Sequence, residues 1–143
     1  MGNYDSRSRL LWRLSTYPGG PGTTLTVSGA TAAYSTVNPS AVTPIDLRFT
    51  TDLALMVYVS GAVSGAGASL VASLGTYDAQ GNLFPAVLST AAITATATGK
   101  AAYGGLFSGG TSQIVYPEWG QITWTLSGTS PSFAGVEISL YGR

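Results

Sequence analysis

The sequence predicts an all-β fold: an antiparallel β-sandwich of jelly-roll or Greek-key type with an extended N-terminal arm. Three observations carry that prediction. Apolar and polar residues alternate over short runs, as half-buried strands require. Clusters of Gly, Pro, Asn, Asp and Ser separate these runs every eight to twelve residues, roughly, giving roughly nine to eleven strands. No stretch sustains the apolar spacing of a helix. A length of 143 residues suits a single domain with a real core, divided into an arm and joint over residues 1–22 and a β-domain over residues 23–143.

The arm, Met1 to Leu14, carries Arg7, Arg9 and Arg13 beside the apolar group Leu10, Leu11, Trp12 and Leu14. Tyr17-Pro18-Gly19-Gly20-Pro21-Gly22 then breaks regular structure. Thr23 to Ser28 alternates Leu25 and Val27 with polar residues, and Ala32 to Val37 forms a second short strand closed by Asn38-Pro39. Ile45, Leu47 and Phe49 alternate with Asp46, Arg48 and Thr50, giving a half-buried strand. Leu53 to Ser60 is the most apolar run and is predicted to lie centrally, followed by a Gly61 to Gly67 loop.

Leu70 to Tyr77 resumes as a strand, and Asp78-Ala79-Gln80-Gly81-Asn82 reads as a tight hairpin turn. Leu83 to Leu88 contains Pro85, which cannot donate to a ladder, so this strand is assigned to an edge or an irregular stretch. Ala91 to Thr98 is threonine-rich and favours strand. Tyr103 to Phe107 and Ser112 to Tyr116 flank a Ser108-Gly109-Gly110-Thr111 hairpin signal. Ile122, Trp124 and Leu126 alternate with polar residues, as do Val136, Ile138 and Leu140. The segment Ser127 to Gly135 between them, rich in Gly, Ser and Pro, is expected to reverse the chain into an antiparallel pair.

Composition narrows the function classes. Charged residues are 8% of the chain, against roughly 25% in average soluble proteins. Six acidic and six basic residues cancel, so no net field draws the chain to nucleic acid or to a membrane. A chain this poor in charge and 45% hydrophobic is prone to self-association, which predicts an assembled native state. No apolar run approaches the roughly 20 residues of a membrane helix, and arginine interrupts the apolar group of the arm, so no export leader is expected.

Cysteine and histidine are both absent. That removes disulfides, thiolate nucleophiles, Ser-His-Asp and Cys-His arrangements, and zinc sites built on His or Cys. Paired carboxylates remain the one acid/base option, with Asp46, Asp52, Asp78 and Glu118 as the candidates. Three have a ready structural explanation: Asp46 on the polar side of a strand, Asp78 in a turn that favours Asp, Glu118 in a loop after proline. Asp78, Gln80 and Asn82 imitate the alternate spacing of a calcium loop, but no further acid follows at the required distance, so no metal and no cofactor is predicted. Trp124 shares parity with Ile122 and Leu126 and is assigned to the core. Trp119, in a corner between Pro117-Glu118 and Gly120, is the surface aromatic, with Tyr116 beside it as a ligand or subunit contact.

The segments Pro117-Glu118-Trp119-Gly120, Thr123-Trp124-Thr125, Gly128-Thr129-Ser130-Pro131-Ser132-Phe133 and Leu140-Tyr141-Gly142-Arg143, together with Asp78-Ala79-Gln80-Gly81-Asn82, resemble small all-β virion proteins of tailed bacteriophages, of the head decoration or minor capsid type. The resemblance covers the latter half of the chain, and each of its motifs is also ordinary strand-and-turn chemistry. It implies a structural, non-enzymatic decoration or cement protein, made in the host cytoplasm and carried on the capsid surface of the virion. Its implied partners are the major capsid protein and copies of itself, as a ring or trimer. Arg7, Arg9, Leu11, Trp12 and Arg13 of the arm are the expected partner-binding residues, through strand addition to a neighbour or to the protein's own sheet edge. Removal of Met1 to Leu14 is expected to spare the fold. The alternative is a host-binding module of a tail fibre or baseplate that holds surface glycans through Trp119.

Overall fold

The computed structural model describes residues 9–14, 22–32, 44–48, 50, 52–96, 101–107 and 118–143. Ten strands are found among them and no helix; none of the described residues forms a helix long and apolar enough to cross a membrane. All ten strands belong to one antiparallel sheet.

The sheet is built on its last strand, β10, which runs without interruption from Trp119 to Gly142 and is 24 residues long. The predicted reversal over Ser127 to Gly135 is therefore corrected: the two alternating runs are the two halves of one strand. Along one edge of β10 run β5 (Leu53–Val59) and β6 (Val63–Tyr77). Gly142 pairs with Leu53 and Val136 with Val59, then Phe133 with Val63 and Trp119 with Tyr77. Residues 53–77 thus accompany almost the whole of β10 in the opposite direction.

The reason lies in what faces the Gly/Ser/Pro segment. The opposing Gly61 to Gly67, expected as a loop, is itself strand from Val63 onward. Register shifts fall between Ser127 and Thr129 and between Thr129 and Ser132. Gly65, Gly67, Gly128, Ser130 and Gly135 there take positive φ. Positive φ with unmatched residues in the ladder describes a bulged, bent ribbon, and bulges sharpen twist without ending the pairing. The strands are also unusually close. A Cβ on Gly128 would stand 2.7 Å from the Gly67 carbonyl oxygen, so only glycine admits this approach.

The bend lets the apolar faces of both halves share one core. Leu53, Leu55, Val57 and Val59 of β5, Leu70, Ala72 and Leu74 of β6, and Ile122, Phe133, Val136, Ile138 and Leu140 of β10 form a single buried cluster. The buried positions are odd on β5 and even on β6 from Ala68. The bulged waist absorbs that change of parity, which in a regular strand would turn one apolar face to solvent.

The other edge of β10 is covered piecewise by the N-terminal part of the chain. β1 (Arg9–Arg13) pairs with residues 139–142, β2 (Thr23–Leu25) with Phe133 and Val136, β3 (Gly29–Ala30) with Thr123 and Trp124, and β4 (Ile45–Asp46) with Trp119 and Gly120. Where backbone pairing lapses, hydroxyls complete it. Ser28 Oγ accepts from Leu126 N at 2.8 Å, and Thr31 Oγ1 accepts from Ile122 N at 2.9 Å. Each bond satisfies a strand amide that would otherwise lack a partner in the sheet.

The expected arm is thus, over Arg9–Arg13, a strand of the chain's own sheet. Leu11, Trp12 and Leu14 pack against its core. Alternation with an apolar inner side explains this: Trp12 lies opposite Leu140 on the core face, while Arg13 lies opposite Ser139 on the outer face.

On the far side of β6 lie β7 (Leu83–Ser89) and β8 (Ile93–Thr94), and on the far side of β5 lies β9 (Ala101–Phe107). The turn into β7 forms as predicted. Asp78 Oδ1 accepts from Gln80 N at 3.0 Å and Asn82 N at 2.8 Å, and Gly81 takes positive φ. β7 is an outer strand, and its register steps between Leu88 and Phe84, the interval that holds Pro85. Among the described residues of Ala91 to Thr98, Ile93–Thr94 is strand and a turn follows at 95–96. Of the predicted strand over Ala32 to Val37 all but Ala32, together with the predicted strand over 112–116 and the hairpin at 108–111, lies outside the described residues.

Candidate contact surface

Asp46, Arg48 and Trp119 converge at the end of the sheet where β4 meets the start of β10. Alternation places them. Ile45 and Leu47 are buried, which turns Asp46 and Arg48 outward. The β4 pairing then sets Asp46 opposite Trp119, and Leu47 N donates to Glu118 O at 3.0 Å. The expected strand over Ile45 to Phe49 gives way after Asp46, because the Asp46 carboxylate turns the backbone by accepting from Arg48 N at 3.0 Å.

The same carboxylate holds the Arg48 side chain. Arg48 Nε donates to Oδ1 at 3.0 Å and Nη2 to Oδ2 at 2.9 Å, the parallel two-bond fork that suits a guanidinium. So held, the guanidinium carbon sits 4.7 Å from the centre of the Trp119 ring, within cation–π range. The Arg48 side-chain hydrogen bonds lower the Asp46 pKa from its ordinary value, with the Arg48 backbone amide adding to the effect. The reciprocal bond raises that of Arg48, and Glu118 adds to the negative field around it. The result is a fixed charge on a half-buried indole at the surface, with carboxylates on its rim.

Such a cluster is suited to binding more than to bond-breaking. Trp and Arg are the residues enriched at the centres of protein contacts, and a guanidinium already oriented loses less side-chain freedom on docking. Three of the four carboxylates considered for acid/base work have another engagement. Asp46 holds Arg48, Asp52 Oδ2 accepts from Arg143 Nε at 2.6 Å, and Asp78 Oδ2 accepts from Asn82 Nδ2 at 2.8 Å. The calcium-like spacing of Asp78, Gln80 and Asn82 is spent on this turn. Among the described residues no group of three or more Asp, Glu, His or Cys side chains comes together as a metal site.

Of the residues predicted for partner contact, Trp119 is half-buried in the cluster just described, whereas Tyr116 and Arg7 lie outside the described residues. Arg9 is exposed, while Leu11 and Trp12 are occupied by the protein's own core. Arg13 Nε and one terminal nitrogen are buried without a hydrogen-bond partner. Trp124 packs against the core, with its ring over Gly29 of β3. Sequence reasoning missed Arg48. The signal was present in part, since Asp46 and Arg48 share one strand face at a spacing of two. What the sequence could not show is the pairing that brings Trp119 beside them.

Comparison with known proteins returns no match: no family model, no curated protein and no solved structure aligns with the chain.

Proposed function

We propose that this protein is a structural component of a virion, a capsid decoration or cement protein that binds the major capsid lattice through its sheet surface and carries no catalytic role. The observation that supports this best is the Asp46-held stack of Arg48 on Trp119, a preorganised contact of the composition that dominates protein interfaces. The low charge of the chain and its resemblance to phage head proteins agree with it. In this reading the bent sheet packs its two halves as the layers of a β-sandwich, since their apolar faces share one core. Because Leu11 and Trp12 are held internally, the sheet surface replaces the arm as the main contact.

The test is co-sedimentation of the purified chain with empty capsid shells. Arg48→Ala, checked for native circular dichroism, is expected to lower occupancy at least roughly fivefold, the effect of losing more than about 1 kcal/mol at a contact centre. Unchanged occupancy would exclude this cluster as the contact, and absence of wild-type binding would exclude the capsid reading.

A tail-fibre or baseplate module that holds a glycan on Trp119 is the second reading. The polar rim of Asp46 and Arg48 beside an indole favours it. It ranks second because Arg48 already occupies one face of the ring that a sugar would stack on. A glycan-array signal that disappears in Trp119→Ala would reverse the order.

A further inference from the structure

The two ends of β10 are separated by the whole length of the strand, yet they meet in space. At its start, a Cβ on Gly120 would stand 3.0 Å from Leu47 Cδ1, and Leu47 N donates to Glu118 O at 3.0 Å. At its end, a Cβ on Gly142 would stand 3.0 Å from Thr50 Cγ2. Thr50 ties these two contacts together, because its N and its Oγ1 both donate to Leu47 O, at 3.2 and 2.9 Å.

Both ends bring charge to the rim so formed. Asp46 and Arg48 stand at the first end, with Glu118 and Trp119. Asp52 and Arg143 stand at the second, where each donates its backbone N to the other's O at 3.1 Å and Arg143 Nε reaches Asp52 Oδ2 at 2.6 Å. Arg9 completes the set: it pairs with Gly142, so its side chain leaves β1 on the side where Thr50 lies. Its charge adds, after the Arg48 hydrogen bonds, to the lowering of the Asp46 pKa. The chain has six basic and six acidic residues, and half of each stand on this one rim. In a chain so poor in charge, that concentration around an indole marks a polar-rimmed contact.

The pairing within the rim is incomplete. Arg48 is held by Asp46 and Arg143 by Asp52, whereas Arg9 is exposed and takes part in no ion pair among the described residues. Glu118, outside both pairs, lends its field to Arg48. The acids nearest Arg9 are thus already neutralised by arginines of their own, and an incoming anion meets little repulsion there.

We propose that the partner bound at this rim presents a carboxylate, from an Asp or Glu side chain of the capsid protein, which seats on Arg9 beside the indole of Trp119. The guanidinium fork matches a carboxylate in shape as well as charge. Pairing with β10 fixes the Arg9 backbone, so less freedom is lost on docking. The neighbouring indole shields the new pair from water. This inference rests on the capsid reading and names the chemical group that the site recognises; it also joins Arg9 and Trp119, two separate contacts in the sequence, into one surface.

The test is co-sedimentation of the purified full-length chain with empty capsid shells, before and after the shell carboxylates are converted to neutral amides with carbodiimide and ethanolamine, the shells being checked as intact. Arg9→Gln, with native circular dichroism, is expected to lower occupancy of untreated shells at least roughly fivefold, and Arg9→Lys to recover part of the loss. Amidation should lower wild-type occupancy to a similar extent. The two losses should not add, because each removes one side of the same pair, so Arg9→Gln should bind treated and untreated shells alike. An arginine with a merely structural role would not show that coupling. Glu118→Gln is expected to keep wild-type occupancy. A measure that needs no variant is salt: wild-type occupancy should fall between about 0.05 M and about 0.5 M sodium chloride.

Full occupancy by Arg9→Gln, an amidation loss as large in Arg9→Gln as in wild type, a loss that follows Glu118→Gln instead, or occupancy indifferent to salt would overturn the proposal. So would a glycan array on which the chain binds acidic sugars through Arg9, since the carboxylate would then come from a glycan. If wild type binds shells and Arg48→Ala weakens it while Arg9→Gln does not, this inference falls alone. If wild type does not bind, the capsid reading falls and takes this inference with it.

Discussion

The two halves of β10 have the same pattern in sequence and different surroundings in the fold. In the C-terminal half, Val136, Ile138 and Leu140 are fully buried, β5 pairs along one side and β1 along the other. In the N-terminal half, β6 provides a full ladder on one side, but among the described residues the other side is paired by the two-residue strands β3 and β4, with the Thr31 hydroxyl between them and the Ser28 hydroxyl beyond β3. Trp124 and Leu126 remain half-buried there. Alternation thus identifies a strand, while its solidity depends on how much of the distant chain is laid against it.

The largest test of this contrast removes Met1–Leu14. That strips β1 from the C-terminal half and exposes the core side chains it covers, at a cost on the order of 5 kcal/mol from three half-buried apolar groups and their ladder bonds. Denaturant unfolding would measure it, and amide exchange should quicken first at residues 136–142. A deletion that leaves stability unchanged would show that β1 is dispensable, as the sequence alone suggests.

A smaller effect should separate two glycines at the waist between the halves. Gly128→Ala combines positive φ with a Cβ 2.7 Å from a backbone oxygen, so a loss of about 2–4 kcal/mol is expected. Gly67 also has positive φ, yet a Cβ there meets nothing within 4 Å, and Gly67→Ala should lose only about 1–2 kcal/mol. Equal losses in thermal or denaturant unfolding would mean that close approach of the strands does not define the bend.

The smallest effect belongs to the N-terminal half and depends on pH. Arg48 lowers the Asp46 pKa in the folded state. The carboxylate therefore adds stability that is complete above the ordinary aspartate range and is lost as pH falls through the lowered folded value. The pair is exposed, so its contribution is small. Asp46→Asn should flatten the acid limb of the stability profile, and identical profiles would show that the pair contributes nothing.

How much of this was legible in the sequence follows from the range of each signal. Period-two alternation located β5, the second half of β6 and both halves of β10, because burial on one face is written in adjacent residues. The Asp78 turn was legible because its hydrogen bonds are made within five residues. The waist was not, since Gly, Ser and Pro permit either a reversal or a bulge, and the choice lies with a second glycine-rich stretch far away in the chain. For the same reason Trp119 could be placed at the surface, but Arg48 could not be placed upon it. The N-terminal segment read as an arm because five residues are too few to distinguish a strand in its own sheet from one added to a neighbour.

The position of β10 in the chain bears on how the protein is made. It leaves the ribosome after the nine other described strands, yet β1, β2, β3 and β4 have their sheet partner in it. Until it emerges, those segments have no ladder to join, and strand pairing at such sequence separation is slow. Translation therefore leaves a long polypeptide waiting with open amides and bare apolar side chains, in need of protection until a single late event completes the sheet.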